Sequence, residues 1–161
     1  MHMRIISIDP GYDRLGVCVM EKDYKGKEVV LFSDCFTTNK NESLESRILF
    51  LGQSIRNVIK KWSPTHMAIE KLFFTKNQTT AMKVAEVRGV VIYEASQKGI
   101  IIHEFSPQDI KIAVTGYGSA TKDQVTLMTQ KILQLPDKKR LDDEYDALAL
   151  GITALAHLRN R

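Results

Sequence analysis

Four carboxylates stand where an apolar core would otherwise continue: Asp9, Glu70, Asp143 and Asp146. Asp9 closes the run Arg4-Ile5-Ile6-Ser7-Ile8 just before the breaker pair Pro10-Gly11, and Glu70 closes His66-Met67-Ala68-Ile69 in the same way. Asp143 and Asp146 are three apart in a helical segment, so they are neighbours on one face. Ala147 and Leu150 continue that face inward. Carboxylates so placed need a partner cation, hydrogen bonds or a raised pKa. If the helix lies beside the two strand ends, all four acids meet in the crevice where open α/β sheets bind ligands. No run of lysines is near enough to neutralise them, so the natural counterion is a divalent metal. Two Mg²⁺ ions ~4 Å apart, with Mn²⁺ as a substitute, form the clamp used for in-line phosphodiester cleavage. Other chemistries lack the spacing they need. No His/Cys set has zinc spacing, and Gly116-Tyr117-Gly118 followed by Lys122 does not match a P-loop. Asp142 and Glu144 read as acids that favour a helix N-terminus.

The elements that must position these residues follow from pattern. Arg4–Asp9, Leu15–Glu21 and Glu28–Phe36 are predicted strands, the last two joined by a turn at Lys25-Gly26-Lys27. Leu44, Ile48, Leu51, Ile55, Val58 and Ile59 keep helical steps, ending near Trp62-Ser63-Pro64. His66–Glu70 is a short strand, 77–97 a second long helix, and Ile100–His103 a fifth, apolar strand. A short helical piece follows at Asp109–Val114. Thr121 and Gln124 form a capping box for a helix reaching about Leu133, and a last helix spans about Leu141–Leu158. This order predicts an α/β fold with a mixed five-stranded sheet flanked by helices, as one domain over residues 1–161. Met1 and His2, preceding Met3, read as an addition outside it.

The helix at 77–97 lacks a polar face, and an all-round apolar helix is buried on two sides. Gly89 inside it costs about 1 kcal/mol relative to Ala, which makes sense if another backbone passes close by. A homodimer is therefore expected. Cys18 and Cys35 flank the Lys25–Lys27 turn nearly symmetrically and could face each other; they read as reduced thiols. The chain has 161 residues and net charge +4, with the basic excess in residues 63–140, which permits a polyanionic partner. No apolar run approaches the ~20 residues of a membrane span and no leader is visible, so the cytoplasm is expected.

Five ordered blocks resemble the RuvC Holliday-junction resolvases: Ile8–Gly11, Ile69–Phe74 with Asn77, Arg88–Val90, Val114–Val125 and Asp143–Ala149. The resemblance covers essentially the whole chain. It implies an RNase H-like fold and a homodimer binding four-way junction DNA. Each subunit would nick one of two opposed strands, leaving 5′-phosphate and 3′-hydroxyl ends, alongside a branch-migration helicase. By position, Asp9, Glu70, Asp143 and Asp146 fall on the family's catalytic metal ligands, with His in place of Asp143 in some members. Lys122 matches a lysine near the scissile phosphate, Lys111 a second basic residue near DNA, and Phe73 an aromatic presented to bases at the junction centre. Lys71, Lys76 and Lys83 would add phosphate contacts, and Asn77 lies in the same DNA-facing block. Three rival readings are an ATP-binding domain of the actin and sugar-kinase type, a junction-binding protein without chemistry, and an RNase H-like nuclease acting on RNA. The first needs two facing domains, and the second should lack one of the acids.

Overall fold

A computed structural model of the chain describes residues 3–72 and 77–158. The elements run β1 (Arg4–Asp9), β2 (Arg14–Lys22), β3 (Glu28–Thr37), α1 (Leu44–Trp62), β4 (His66–Glu70), α2 (Gln78–Ser96), β5 (Ile101–Phe105), α3 (Pro107–Thr115), α4 (Lys122–Leu133) and α5 (Asp142–His157). The sheet order is β3-β2-β1-β4-β5. β1, β4 and β5 are mutually parallel, while β2 is antiparallel to both β1 and β3. The mixed five-stranded α/β sheet is thus the one predicted.

Both faces of the central strands are covered, which is why β1 reads as a near-continuous apolar run. Ile6, Ile8, Val17, Val19, Met67 and Ile69 pack with Leu51, Ile55, Val87 and Val91 of α1 and α2. Ile5, Cys18, Met20 and Ala68 turn the other way, onto Val114, Leu133, Leu148 and Leu150 of α3, α4 and α5. The start of α4 carries the capping box that sequence predicts, and α3 has one that it did not. Thr121 and Gln124 cap each other's backbone at α4, and Ser106 and Asp109 do so at α3 with Pro107 at its first position.

Three expectations change. The fifth strand starts one residue later and continues through Phe105. It is an edge strand whose Ile101 is 56% exposed, so it is not the buried strand its composition suggests. Cys18 pairs with Ser33 and Cys35 with Gly16, because Lys22 pairs with Glu28 and so centres the hairpin on Lys25, ahead of the midpoint between the cysteines. The two thiols are therefore offset by two pairs, and both are free. Finally, α2 is buried on one side only. Val87, Val91 and Ala95 enter the core, but Met82 and Tyr93 are 66% and 58% exposed, and nothing lies within 4 Å of where a Gly89 side chain would begin.

The most buried helix is instead α5, whose residues from Ala147 to Leu155 have almost no exposed surface. It lies against β1 and β2 closely enough that a Cβ on Gly16 would sit 1.8 Å from the Asp143 carbonyl oxygen. Nearby, the buried Ser7 hydroxyl donates to the Ala147 carbonyl at 2.7 Å. Gly16→Ala must therefore push the first turn of α5 off the sheet. We expect it to cost roughly 1–3 kcal/mol, as core overpacking does, measurable as a lowered urea midpoint.

Candidate active site

β1 and β4 run parallel with Ile8 opposite Ile69, so the next residues, Asp9 and Glu70, end adjacent strands side by side. Alternation turns both toward α5, as it does Ser7. The first turns of α5 bring Asp143 and Asp146 over the same strand ends. The two strand acids and the two helix acids thus meet where the sequence expects them. Asp9 is close enough to feel the negative charges of Asp146, Glu70 and Asp143. Burial, then those three neighbours, push its pKa up to about 8 against the partial relief of Lys122. Burial and then Asp146 raise Glu70 as well. Asp146 is raised chiefly by burial, despite a hydrogen bond from Lys122.

Two single basic side chains approach this cluster: Lys122, expected near it from the family resemblance, and Arg14, which was not. Lys122 Nζ donates to Asp146 Oδ2 at 3.1 Å. Burial works against the charged lysine, but the hydrogen bond and charge of Asp146, with Asp142 and Asp9 beyond, prevail and raise its pKa. Arg14 Nε lies 3.0 Å from Asp143 Oδ2 as an ion pair. That oxygen is buried and receives no directed hydrogen bond. The Arg14 contact was not foreseen, because Arg14 follows a Pro-Gly turn whose path alone decides where it points.

Glu144 also departs from its expected role. It is 4% exposed, accepts from the Ser33 hydroxyl at 2.6 Å and lies 3.3 Å from Arg140 Nε. Instead of a solvated acid at a helix start, it is a peg fastening α5 to β3.

A cavity of about 250 Å³ opens beside the acids, lined by Glu70, Asp146, Lys111 and Lys122. Lys111, on α3, and Lys122, at the start of α4, therefore face the same space. Lys83 lies elsewhere, its ammonium 5.2 Å from the centre of the Tyr12 ring. Asn77 caps α2 by accepting from the Thr80 amide at 3.2 Å. Lys71 is exposed, its amide tied to the Phe105 carbonyl. Phe73, Phe74 and Lys76 lie outside the described residues.

The donor set is all carboxylate oxygen, the chemistry that suits Mg²⁺ or Mn²⁺. Its mutual repulsion and the poorly satisfied Asp143 oxygen fit a cation that these residues would share. With Arg14 on Asp143 and Lys122 on Asp146, no three acidic, His or Cys ligands among the described residues surround a common point. Binding therefore requires those acids to change partner.

The family model for crossover junction endodeoxyribonuclease RuvC matches residues 5–154. The chain is 38% identical over 159 residues to the crossover junction endodeoxyribonuclease RuvC of Fusobacterium nucleatum, covering 99% of this chain and 83% of that protein. Among solved structures, T. thermophilus RuvC in complex with Holliday junction substrate superposes with a TM-score of 0.91 at 30% identity, over 99% of this chain and 96% of that one. The yeast mitochondrial Holliday junction resolvase Ydc2, at 14% identity and TM-score 0.68 over 99% and 82% of the two chains, shares the fold. The α/β architecture is thus of the RNase H-like kind found in these nucleases.

The acid cluster makes stability depend on pH. Unfolded, Asp9 ionises near 3.8; folded, it keeps its proton to about 8. Between those values the folded chain binds more protons than the unfolded chain, so stability declines as pH rises. In EDTA, the wild-type melting temperature should fall between pH 5 and 8, and Asp9→Asn should reduce that fall by roughly 5 °C, the equivalent of about 1–2 kcal/mol. Parallel melting curves for the two proteins across this range would refute the assignment.

Proposed function

Since the chain belongs to the RuvC family of crossover junction endodeoxyribonucleases, we propose that it resolves four-way DNA junctions by paired, symmetric nicks in opposed strands. Hydrolysis would leave 5′-phosphate and 3′-hydroxyl ends. The observation that carries this reading is the meeting of Asp9, Glu70, Asp143 and Asp146 beside a cavity that Lys111 and Lys122 also line. The four carboxylates would hold two divalent ions, Mg²⁺ or Mn²⁺, which when bound supply Lewis-acid stabilisation of phosphoryl charge and a water of lowered pKa.

The chain's own residues divide the remaining work. Lys122, kept cationic by its acidic surroundings, exchanges Asp146 for a non-bridging oxygen of the scissile phosphate and offsets charge developing there. Lys111 holds the neighbouring backbone in the same cavity. Lys76, Lys83 and Asn77 add sequence-independent contacts to phosphates, whose strength falls with salt. Phe73, following the Glu70 strand end, stacks on a base at the junction centre.

Paired nicks require two sites, and the exposed face of α2 with Met82, Gly89 and Tyr93 supplies the homodimer contact: an apolar stripe with an open glycine that a second backbone can approach. A branch-migration helicase is the expected partner. Among the described residues no helix is long and apolar enough to cross a membrane; the proposed place of work is the cytoplasm, with the DNA.

The test is a labelled four-way junction beside a linear duplex of the same sequence, with Mg²⁺ and with EDTA. Ligatable nicks in opposed strands of the junction alone, in metal alone, are expected; tight binding without nicking would move the function to junction binding only. Asp146→Asn should lower cleavage by about a thousandfold, the loss of ~4 kcal/mol, while junction affinity is retained. Phe73→Ala should slow resolution about tenfold, the worth of one stacked base, with its melting temperature unchanged. A collapse in stability would instead make Phe73 a core residue.

A further inference from the structure

A second cavity, of about 370 Å³, shares no lining residue with the one that Lys111 and Lys122 line. Its walls include Tyr12, Arg14, Thr37, Lys40, Thr80 and Asp143. Asp146 lines the first cavity and Asp143 the second, so the first turns of α5 contribute one acid to each.

The Tyr12-Asp13 wall of this second cavity is held from behind by a buried arginine. Arg47, only 8% exposed, donates to the Thr38 hydroxyl at 2.9 Å and to the Tyr12 carbonyl at 3.1 Å, and it also pairs with Asp13. Its guanidinium lies 5.1 Å from the Tyr12 ring centre. Asp13 is thereby neutralised from within. Thr37 and Thr80 offer hydroxyls, and Lys40 is exposed with no carboxylate partner among the described residues. Arg14, at the very start of β2, is a charged wall residue paired with an acid of the catalytic cluster, Asp143. It reaches Asp143 through an off-line contact, with 45% of its own side chain in solvent. Such an arginine can rotate away without disturbing the fold. A cavity with hydroxyls and two cations, Arg14 and Lys40, suits a phosphodiester.

We infer that this cavity is a second backbone-phosphate subsite, in which Arg14 alternates between Asp143 when the site is empty and a DNA phosphate when it is loaded. The inference rests on the nuclease reading above and assigns the path of the strand beyond the scissile phosphate. Arg14 is then a positioning residue with two consequences of opposite sign. It withholds Asp143 from metal in the free protein, and it contributes a cation to DNA binding.

Arg14→Gln separates these consequences from a structural role. Calorimetric titration of the free protein with Mn²⁺ should show affinity raised about three- to tenfold, because Asp143 no longer has a competing partner. Anisotropy of a four-way junction in EDTA, across a salt series, should show weaker binding with a log–log slope shallower by about one phosphate contact. Lys40→Gln should reproduce the loss of DNA affinity and leave Mn²⁺ affinity unchanged. An unchanged Mn²⁺ affinity or an unchanged salt slope in Arg14→Gln overturns the proposal. So does a joint loss of both affinities with a lowered melting temperature, which would make Arg14 a pin for α5. Wild-type cleavage of the junction reads the nuclease assignment separately. Wild type failing to cut sinks that assignment, whereas wild type cutting while Arg14→Gln shows neither change sinks only the role of Arg14.

Discussion

The acidic crevice depends on how closely the first two turns of α5 approach β1 and β2. A backbone carbonyl of the helix occupies the space where Gly16 would carry a side chain, and the Ser7 hydroxyl bonds to another one turn further on. Glu144 fastens the same turn laterally through Ser33 and Arg140. These contacts set both the height of the helix above the sheet and its rotation about its own axis. Asp143 and Asp146 inherit their positions from them, while Asp9 and Glu70 inherit theirs from the pairing of β1 with β4. The register of a sheet and the seating of one helix thus define a four-carboxylate site with no loop involved, the kind of support that holds reacting groups to small tolerances.

Such a site is electrostatically expensive. Three acids have raised pKa values, burial being the largest cause in each case and neighbouring carboxylates adding to it. The helix dipole of α5 favours acids in its first turn, and Lys122 and Arg14 offset part of the remainder. Lys122 itself stands at the start of α4, where the dipole disfavours a cation, and Asp146, with Asp142 and Asp9 beyond, makes that position tolerable. The apolar cores on both sheet faces carry the stability that this arrangement gives up, as is usual where function sets local requirements.

Much of this was legible in the sequence because the acids break a pattern. A carboxylate ending an isoleucine strand, or standing above Ala147 and Leu150, conflicts with core periodicity, and such conflicts mark functional positions. Capping residues located α4 for the same reason: Thr121 and Gln124 act within one turn of chain. Legibility failed where long-range placement decides. Arg14 finds Asp143 and Glu144 finds Ser33 only once β2, β3 and α5 have come together. The Val19/Met20 bulge within the β2–β3 hairpin has no local signature. Composition does not say which side of α2 meets the sheet: its apolar residues are numerous, and only the packing shows that Met82 and Tyr93 face outward.

The division of the acids among β1, β4 and α5 also bears on biosynthesis. Asp9 and Glu70 end strands near the start and middle of the chain, and α5 is the last element described. A nascent chain can form the β1–β2–β3 meander early, because its contacts are local, but long-range closure by α5 must wait. Until α5 docks, only half of the carboxylates are in place and the Gly16 surface lies open. A chain that ends before α5 therefore lacks two of the four acids, and the four-carboxylate site is complete only once that helix has closed onto the sheet.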